Sequence, residues 1–165
     1  MTEKIATLIN ALRQELEQYR VMLALLDRQK QQVGARCAED VYQSIAPIKG
    51  QGLSIQRARA QREECRVQLT QALQRPRDSS FAELIPLLPG DCQPLLGTLV
   101  RENNLLLARV RQRARQNHLC LSRSIELMQG MINSLFPARE TRMYNERGSM
   151  KLRRLTPLSM YEAIG

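Results

Sequence analysis

The side chains best suited to hold a metal or attack a substrate are four cysteines and one histidine. No two of Cys37, Cys65, Cys92 and Cys120 form a CxxC pair, and His118 is the only histidine. Zinc and haem sites need several such ligands at short, defined spacings, so the sequence predicts no metal site and no cofactor. The first residues also lack the apolar run of a signal peptide, and the cysteines then favour a reducing cytoplasm.

Catalysis has equally little support in the sequence. General acid–base chemistry needs converging groups with tuned pKa values, whereas His118 has no acidic residue near it in the sequence. The segment Gly50-Gln51-Gly52 lacks the spacing and the preceding strand of a phosphate-binding loop. We therefore expect a protein that is not an enzyme.

The net charge of +9 permits nucleic acid, an acidic membrane surface or an acidic protein as a partner. A solvated helix face accounts for most of the arginines in the last predicted helix, and no aromatic residues or recognition motif accompany them. Nucleic-acid binding therefore remains an alternative, and so does self-assembly as a structural coiled coil. At about 100° per residue, only Arg113 falls in the apolar stripe of that helix, and the others fan over the opposite half: Arg101, Arg109, Arg111, Arg115 and Arg123.

Aromatic residues make up only 4% of the whole chain, a composition typical of long helices. Two such helices are predicted in the first half of the chain. Apolar residues recur every three or four positions over residues 3–33, with Thr2 as the expected N-cap and Gly34 as the expected left-handed residue at the end. Residues 41–74 continue the helical period, but Pro47 predicts a kink or break at about Ala46, before a cleaner helix over residues 51–74.

Residues 75–93 contain three prolines, so we expect only one short helical turn there, capped by Ser79 or Ser80. A third long helix is predicted from Asp91, as N-cap, to Phe136, where Pro137 ends it. Its 3–4 pattern lasts about six heptads, so it must pack on the first two helices. The predicted fold is all-α: an elongated antiparallel three-helix bundle or coiled coil. The stripe of the third helix is Leu96, Leu99, Asn103, Leu106, Val110, Arg113, Asn117, Cys120, Ser124, Met128, Met131 and Leu135.

Two further features refine this prediction. Asn103 and Asn117 lie two heptads apart within the stripe, where polar residues commonly fix the register of a coiled coil. Residues 138–165 are basic and rich in turn-forming residues, so they cannot build a core of their own. We therefore expect a helical domain at residues 1–137 and a flexible basic and apolar tail at residues 138–165, which either binds a partner or packs on the bundle.

Three segments carry a family resemblance. They are the Phe-x-x-Leu and Leu-Pro linker at residues 81–89, Arg-Glu-Asn-Asn-Leu-Leu-Leu at residues 101–107, and Phe-Pro-Ala-Arg-Glu-Thr-Arg-Met-Tyr-Asn-Glu-Arg-Gly at residues 136–148. Together they resemble the FlgN-type flagellar export chaperones, which escort hook–filament junction proteins. The resemblance covers nearly the whole chain, but residues 47–52 and those after Gly148 depart from the family's pattern.

The resemblance implies a cytoplasmic flagellar type III export chaperone, monomeric or weakly dimeric. It would bind hook-associated proteins, prevent their premature assembly and deliver them to the export apparatus. By the same resemblance, Tyr144 would dock on that apparatus. We place the cargo surface on the end of the third helix and the tail, although the helix residues also suit a bundle core. The candidates are Ile125, Met128, Met131, Ile132, Leu135, Phe136, Leu152, Leu155 and Leu158.

Overall fold

The computed structural model describes residues 1–135. These residues form helices and no strand, which confirms the all-α class. The elements are α1 (Thr2–Gly34), α2 (Ala38–Ala72), α3 (Phe81–Leu84), a 3-10 turn (Ile85–Leu87) and α4 (Gln93–Leu135). Contacts divide the chain into two units, Met1–Cys120 and Leu121–Gly165. The predicted tail and its boundary at residue 137 lie outside the described residues and stay predictions.

The directions of the helices in the first unit follow from hydrogen bonds between side chains and backbone. Gln29 of α1 donates to the Ser44 hydroxyl at 3.0 Å, and Gln51 donates to the Gln18 carbonyl at 2.9 Å, so α2 runs antiparallel to α1. The Asn103 and Asn117 amides of α4 donate to the carbonyls of Leu12 and Leu26 in α1. Because both pairs are separated by 91 positions, this part of α4 runs parallel to α1 in one constant register.

The first unit contains two apolar clusters. One joins the N-terminal half of α1 to the end of α2, the linker and the start of α4; the other joins the second half of α1 to α4. Burying each aliphatic side chain contributes about 1.5–3 kcal/mol. The buried residues of the first cluster are Ile5, Leu8, Ala11, Leu12, Leu16, Cys65, Leu69, Leu88, Leu96 and Leu99, and those of the second are Tyr19, Met22, Leu26 and Val110.

The expected break at Ala46 is wrong, because α2 is one continuous helix with Pro47 inside it. Proline removes one backbone donor and crowds the preceding turn. After the proline, Ile48 and Ile55 nevertheless pack against the second apolar cluster. Before it, the Ser44 hydroxyl accepts a hydrogen bond from Gln29 of α1, so contacts with other helices support α2 on both sides of the proline. Tertiary contacts therefore outweigh the local preference of the sequence.

The ends of the first helix also differ from expectation. Thr2 is the first residue of α1 and Gly34 the last, and the left-handed residue is Arg36, with φ of 56°. The Arg36 and Cys37 N–H groups donate back to the carbonyls of Val33 and Gln32 at 3.1 and 3.2 Å, as in a Schellman ending.

The linker and the start of α4 agree better with expectation. The Ser80 N–H donates to the Glu83 carboxylate at 2.9 Å at the start of α3, which confirms the short capped turn. Helix α4 begins at Gln93, so Cys92 rather than Asp91 flanks it, and the Cys92 carbonyl accepts the Leu96 N–H at 3.0 Å.

Candidate binding surface

Two buried asparagines fix how α4 lies on α1 within the first unit. The Asn103 amide donates to the Leu12 carbonyl at 3.0 Å, and the Asn117 amide donates to the Leu26 carbonyl at 2.8 Å. Both side chains are almost fully buried. A shift of α4 by one turn would break both bonds together, so the pair acts as a register lock of the kind that the sequence predicts.

A polar chain extends the second lock to α2. The Asn117 amide also donates to Gln29 Oε1 at 3.0 Å, and Gln29 Nε2 donates to the Ser44 hydroxyl at 3.0 Å. The Ser44 hydroxyl in turn donates to the Val41 carbonyl at 2.6 Å. One network therefore joins α4, α1 and α2. The sequence did not reveal Gln29 and Ser44, since neither type is unusual on a helix and only the tertiary pairing brings them together.

A charged group lies on α1 between the positions that the two asparagines contact. Glu15 is buried, and its carboxylate lies 3.4 Å from Arg62 Nε and accepts the Tyr19 hydroxyl at 2.7 Å. The Arg62 guanidinium lies over the Phe81 ring at 5.9 Å, so one arginine contacts α1 and α3. Burial, and then the bond to Glu15, raises the pKa of Tyr19 well above its usual range. These groups have ion-pair and ring partners and connect three helices, so we interpret them as structural.

The apolar stripe of α4 is buried only in part. Its buried members end at Asn117, and from Cys120 onward its residues are exposed apart from the half-buried Ser124. The stripe is therefore not buried along its whole length. Residues 121–135 belong to the second unit, and all of their large apolar side chains except the half-buried Leu121 are exposed.

These exposed side chains lie on one half of the helix. At about 100° per residue they fall within a sector of about 160°. Each is between 55% and 68% exposed. We call this surface the terminal apolar face; it consists of Ile125, Leu127, Met128, Met131, Ile132 and Leu135.

The other half of the same helix segment is polar or small. Glu126, Gln129, Asn133 and Ser134 lie there, together with Gly130. An exposed helix with one apolar half is suited to pack against the apolar face of a partner helix. Apolar side chains clustered in this way on a surface generally mark an interaction site.

The structure places five of the predicted contact residues together on this face: Ile125, Met128, Met131, Ile132 and Leu135. None of the five lies in either apolar cluster of the first unit. Leu127 joins them at one edge of the sector, although it was not among the predicted residues. The other candidates lie outside the described residues: Phe136, Tyr144, Leu152, Leu155 and Leu158.

Within residues 1–135, no three Cys, His, Asp or Glu side chains converge as a metal site would require. In the same part of the chain, no helix is both long and apolar enough to cross a lipid bilayer. Searches among curated proteins and among solved structures gave no significant match. The family model described as FlgN protein matches residues 1–151, which is nearly the whole chain. The chain therefore belongs to the FlgN family, a family of flagellar chaperones.

Proposed function

We propose that this chain is a cytoplasmic export chaperone that binds hook–filament junction proteins, prevents their premature assembly and delivers them to the flagellar type III export apparatus. In this proposal α1, α2 and α4 form an elongated antiparallel three-helix bundle, and the protein acts as a monomer or weak dimer. Membership of the FlgN family supports the flagellar role. The terminal apolar face is the observation that carries the binding role.

The terminal apolar face suits the cargo that this proposal names. Junction proteins of this class have amphipathic terminal helices that polymerise outside the cell, so their apolar stripes must be covered before export. A helix laid along residues 121–135 would bury both stripes together. Each aliphatic side chain that becomes buried contributes about 1.5–3 kcal/mol, so several of them can offset the cost of association.

Two features suit a complex that must form and then dissociate. Met128 and Met131 have flexible, polarisable side chains that adapt to more than one partner surface. The tail is proposed to order on the cargo, which costs about 2–5 kcal/mol of the gross interaction energy and keeps the complex releasable.

The proposal also includes residues outside the described part of the chain. Phe136, Leu152, Leu155 and Leu158 would continue the cargo surface along the tail. Tyr144 would dock on the export apparatus, a role that rests on the family resemblance alone.

The proposal is tested by replacing neighbouring residues on opposite halves of α4. Ile132→Asp places a carboxylate on the terminal apolar face, whereas Asn133→Asp adds the same charge on the polar half. A carboxylate buried in an apolar contact costs about 2 kcal/mol or more, so we expect Ile132→Asp to weaken binding of the cognate junction protein roughly 30-fold. Asn133→Asp should bind as the unchanged protein does.

Binding is measured by size-exclusion chromatography with light scattering and by calorimetry, at low and high salt. We expect a one-to-one complex that survives high salt, because its centre is apolar. Equal affinities of the two variants would remove the terminal apolar face from the cargo site. A complex lost at high salt, together with tight binding to random DNA, would replace the chaperone role by the nucleic-acid alternative.

A further inference from the structure

The outer surface of α4 in the first unit is mainly positive, and Glu102 is the one acidic residue of α4 over residues 93–120. Between Glu102 and Glu126 the helix contains no acidic residue. The arginines at positions 101, 109, 111 and 115 are all exposed. The inward-facing Arg113, in contrast, pairs with Asp27 at 2.8 Å. Within residues 1–135, none of the four outer arginines belongs to an ion pair.

Two exposed leucines lie among these arginines. Leu105 is 56% exposed and Leu119 is 67% exposed. At about 100° per residue, both point within about 60° of the direction opposite the buried Asn103 and Asn117. We call the surface the outer arginine face; it consists of Arg101, Leu105, Arg111, Arg115 and Leu119, with Arg109 at its edge. It extends over about 27 Å of helix.

We propose that the outer arginine face docks on anionic phospholipid headgroups at a membrane surface. Guanidinium groups form bidentate hydrogen bonds with phosphate oxygens, and a row of them along one helix can contact a layer of such groups. Leu105 and Leu119 would enter the boundary between the headgroups and the acyl chains, as apolar side chains of interfacial helices do. This role is separate from cargo binding and uses none of the residues proposed for it.

The leucines favour a lipid surface over nucleic acid, and the net charge disfavours a second copy of the chain. A nucleic-acid backbone would engage the arginines, but it offers nothing apolar to Leu105 and Leu119. A second copy of this chain would bring a net charge of +9 against the same charge, which is unfavourable. Only an anionic lipid surface presents phosphates and an apolar layer within a few ångströms of each other.

The test uses the full chain and vesicles. Co-sedimentation is measured with vesicles containing phosphatidylglycerol and with vesicles of phosphatidylcholine alone. We expect binding only to the first. Each arginine near an anionic surface strengthens binding about fivefold, so Arg111→Gln with Arg115→Gln should weaken it roughly 25-fold. The control is Arg13→Gln with Arg57→Gln, which removes the same charge from exposed positions on α1 and α2 and should leave at least half of the bound fraction.

A second variant separates lipid from a general polyanion. Leu105→Ser with Leu119→Ser removes the apolar contact, so we expect the affinity for vesicles to fall roughly tenfold. Because the variant keeps every charge, its affinity for single-stranded DNA should stay the same. The proposal is overturned by any of three results: no binding to phosphatidylglycerol vesicles, equal loss in the α4 arginine variant and its control, or full vesicle binding by the double serine variant. Circular dichroism checks that each variant keeps its helical content.

Discussion

Asn103 and Asn117 show how single residues set the relation between helices. A leucine at either position would bury more apolar surface, but it could not recognise a particular carbonyl of α1. Each amide nitrogen has its partners, whereas the side-chain oxygens of both residues are buried without a hydrogen bond in the described part of the chain. A buried oxygen of this kind costs free energy. We infer that the two residues give up some stability to hold α4 in one register on α1.

Replacing the Asn103 amide by a carboxylate of the same shape should turn its attraction to the Leu12 carbonyl into repulsion. In Asn103→Asp, the side-chain nitrogen that donates to the Leu12 carbonyl is replaced by an oxygen, which points at that carbonyl inside the core. Burial would raise the pKa of the new carboxyl above about 3.9, its ordinary value. Its neutral form is therefore the one tolerated in the folded state, so the destabilisation is small below that pH. Above that pH, the destabilisation should grow by about 1.4 kcal/mol per pH unit until the pH reaches the folded-state pKa.

Urea unfolding of this variant at several pH values between about 4 and 8 measures the effect. The control is Asn104→Asp, because Asn104 is the next residue along α4 and is exposed. It should change the unfolding free energy by less than about 0.5 kcal/mol over the whole range. A pH-independent loss in Asn103→Asp would contradict the expected rise of the carboxyl pKa at this buried position.

At the scale of elements, α2 is the helix in which local preference and tertiary packing disagree. Its first half contains Pro47, Gly50 and Gly52, all unfavourable inside a helix. Its buried residues begin only at Ala58. The first half is therefore held by half-buried contacts such as those of Ile48 and Ile55, and we expect it to open locally more often than the second half.

Filling the two glycines should stabilise this half of α2. A Cβ added at Gly50 or Gly52 would meet no atom within 4 Å, so alanine fits without strain. Gly50→Ala with Gly52→Ala should raise the unfolding free energy by about 1–2 kcal/mol and slow amide exchange over residues 48–57. Ala60→Gly, at an exposed position of the same helix, should lower it by about 0.5–1 kcal/mol. Unchanged exchange in the double alanine variant would show that packing alone limits the opening.

The elements that follow from local chemistry are the ones that the sequence predicts well. The period of α1 and α4 and the Ser80 turn depend on residues a few positions apart, so they could be derived in advance. The continuity of α2 could not, since it depends on packing against distant residues. The end of the buried stripe at Asn117 could not either, because residues 120–135 have the same 3–4 pattern as the buried part. Periodicity shows which face is apolar but not whether a partner within the chain covers it.

At the scale of the whole molecule, stability and the proposed binding are carried by different residues. Every buried residue in the described part of the chain lies between Ile5 and Asn117, inside the first unit. The large apolar residues of the second unit that the structure describes are exposed apart from the half-buried Leu121, and none of them is a buried core residue. If the proposed cargo surface is correct, we expect substitutions on it to leave the fold intact.

Leu69→Ala tests this separation from the side of the core. Leu69 is completely buried in α2, within the first apolar cluster, so its truncation should lower the unfolding free energy by about 2–5 kcal/mol. Leu53→Ala removes the same atoms from a half-exposed site on the same helix and should cost less than about 1 kcal/mol. Both variants should bind the junction protein with unchanged affinity well below their melting temperatures, because neither residue belongs to the terminal apolar face. If Leu69→Ala weakens cargo binding tenfold while still fully folded, the cargo site must extend into the first unit, and the assignment to residues 121–135 would be too narrow.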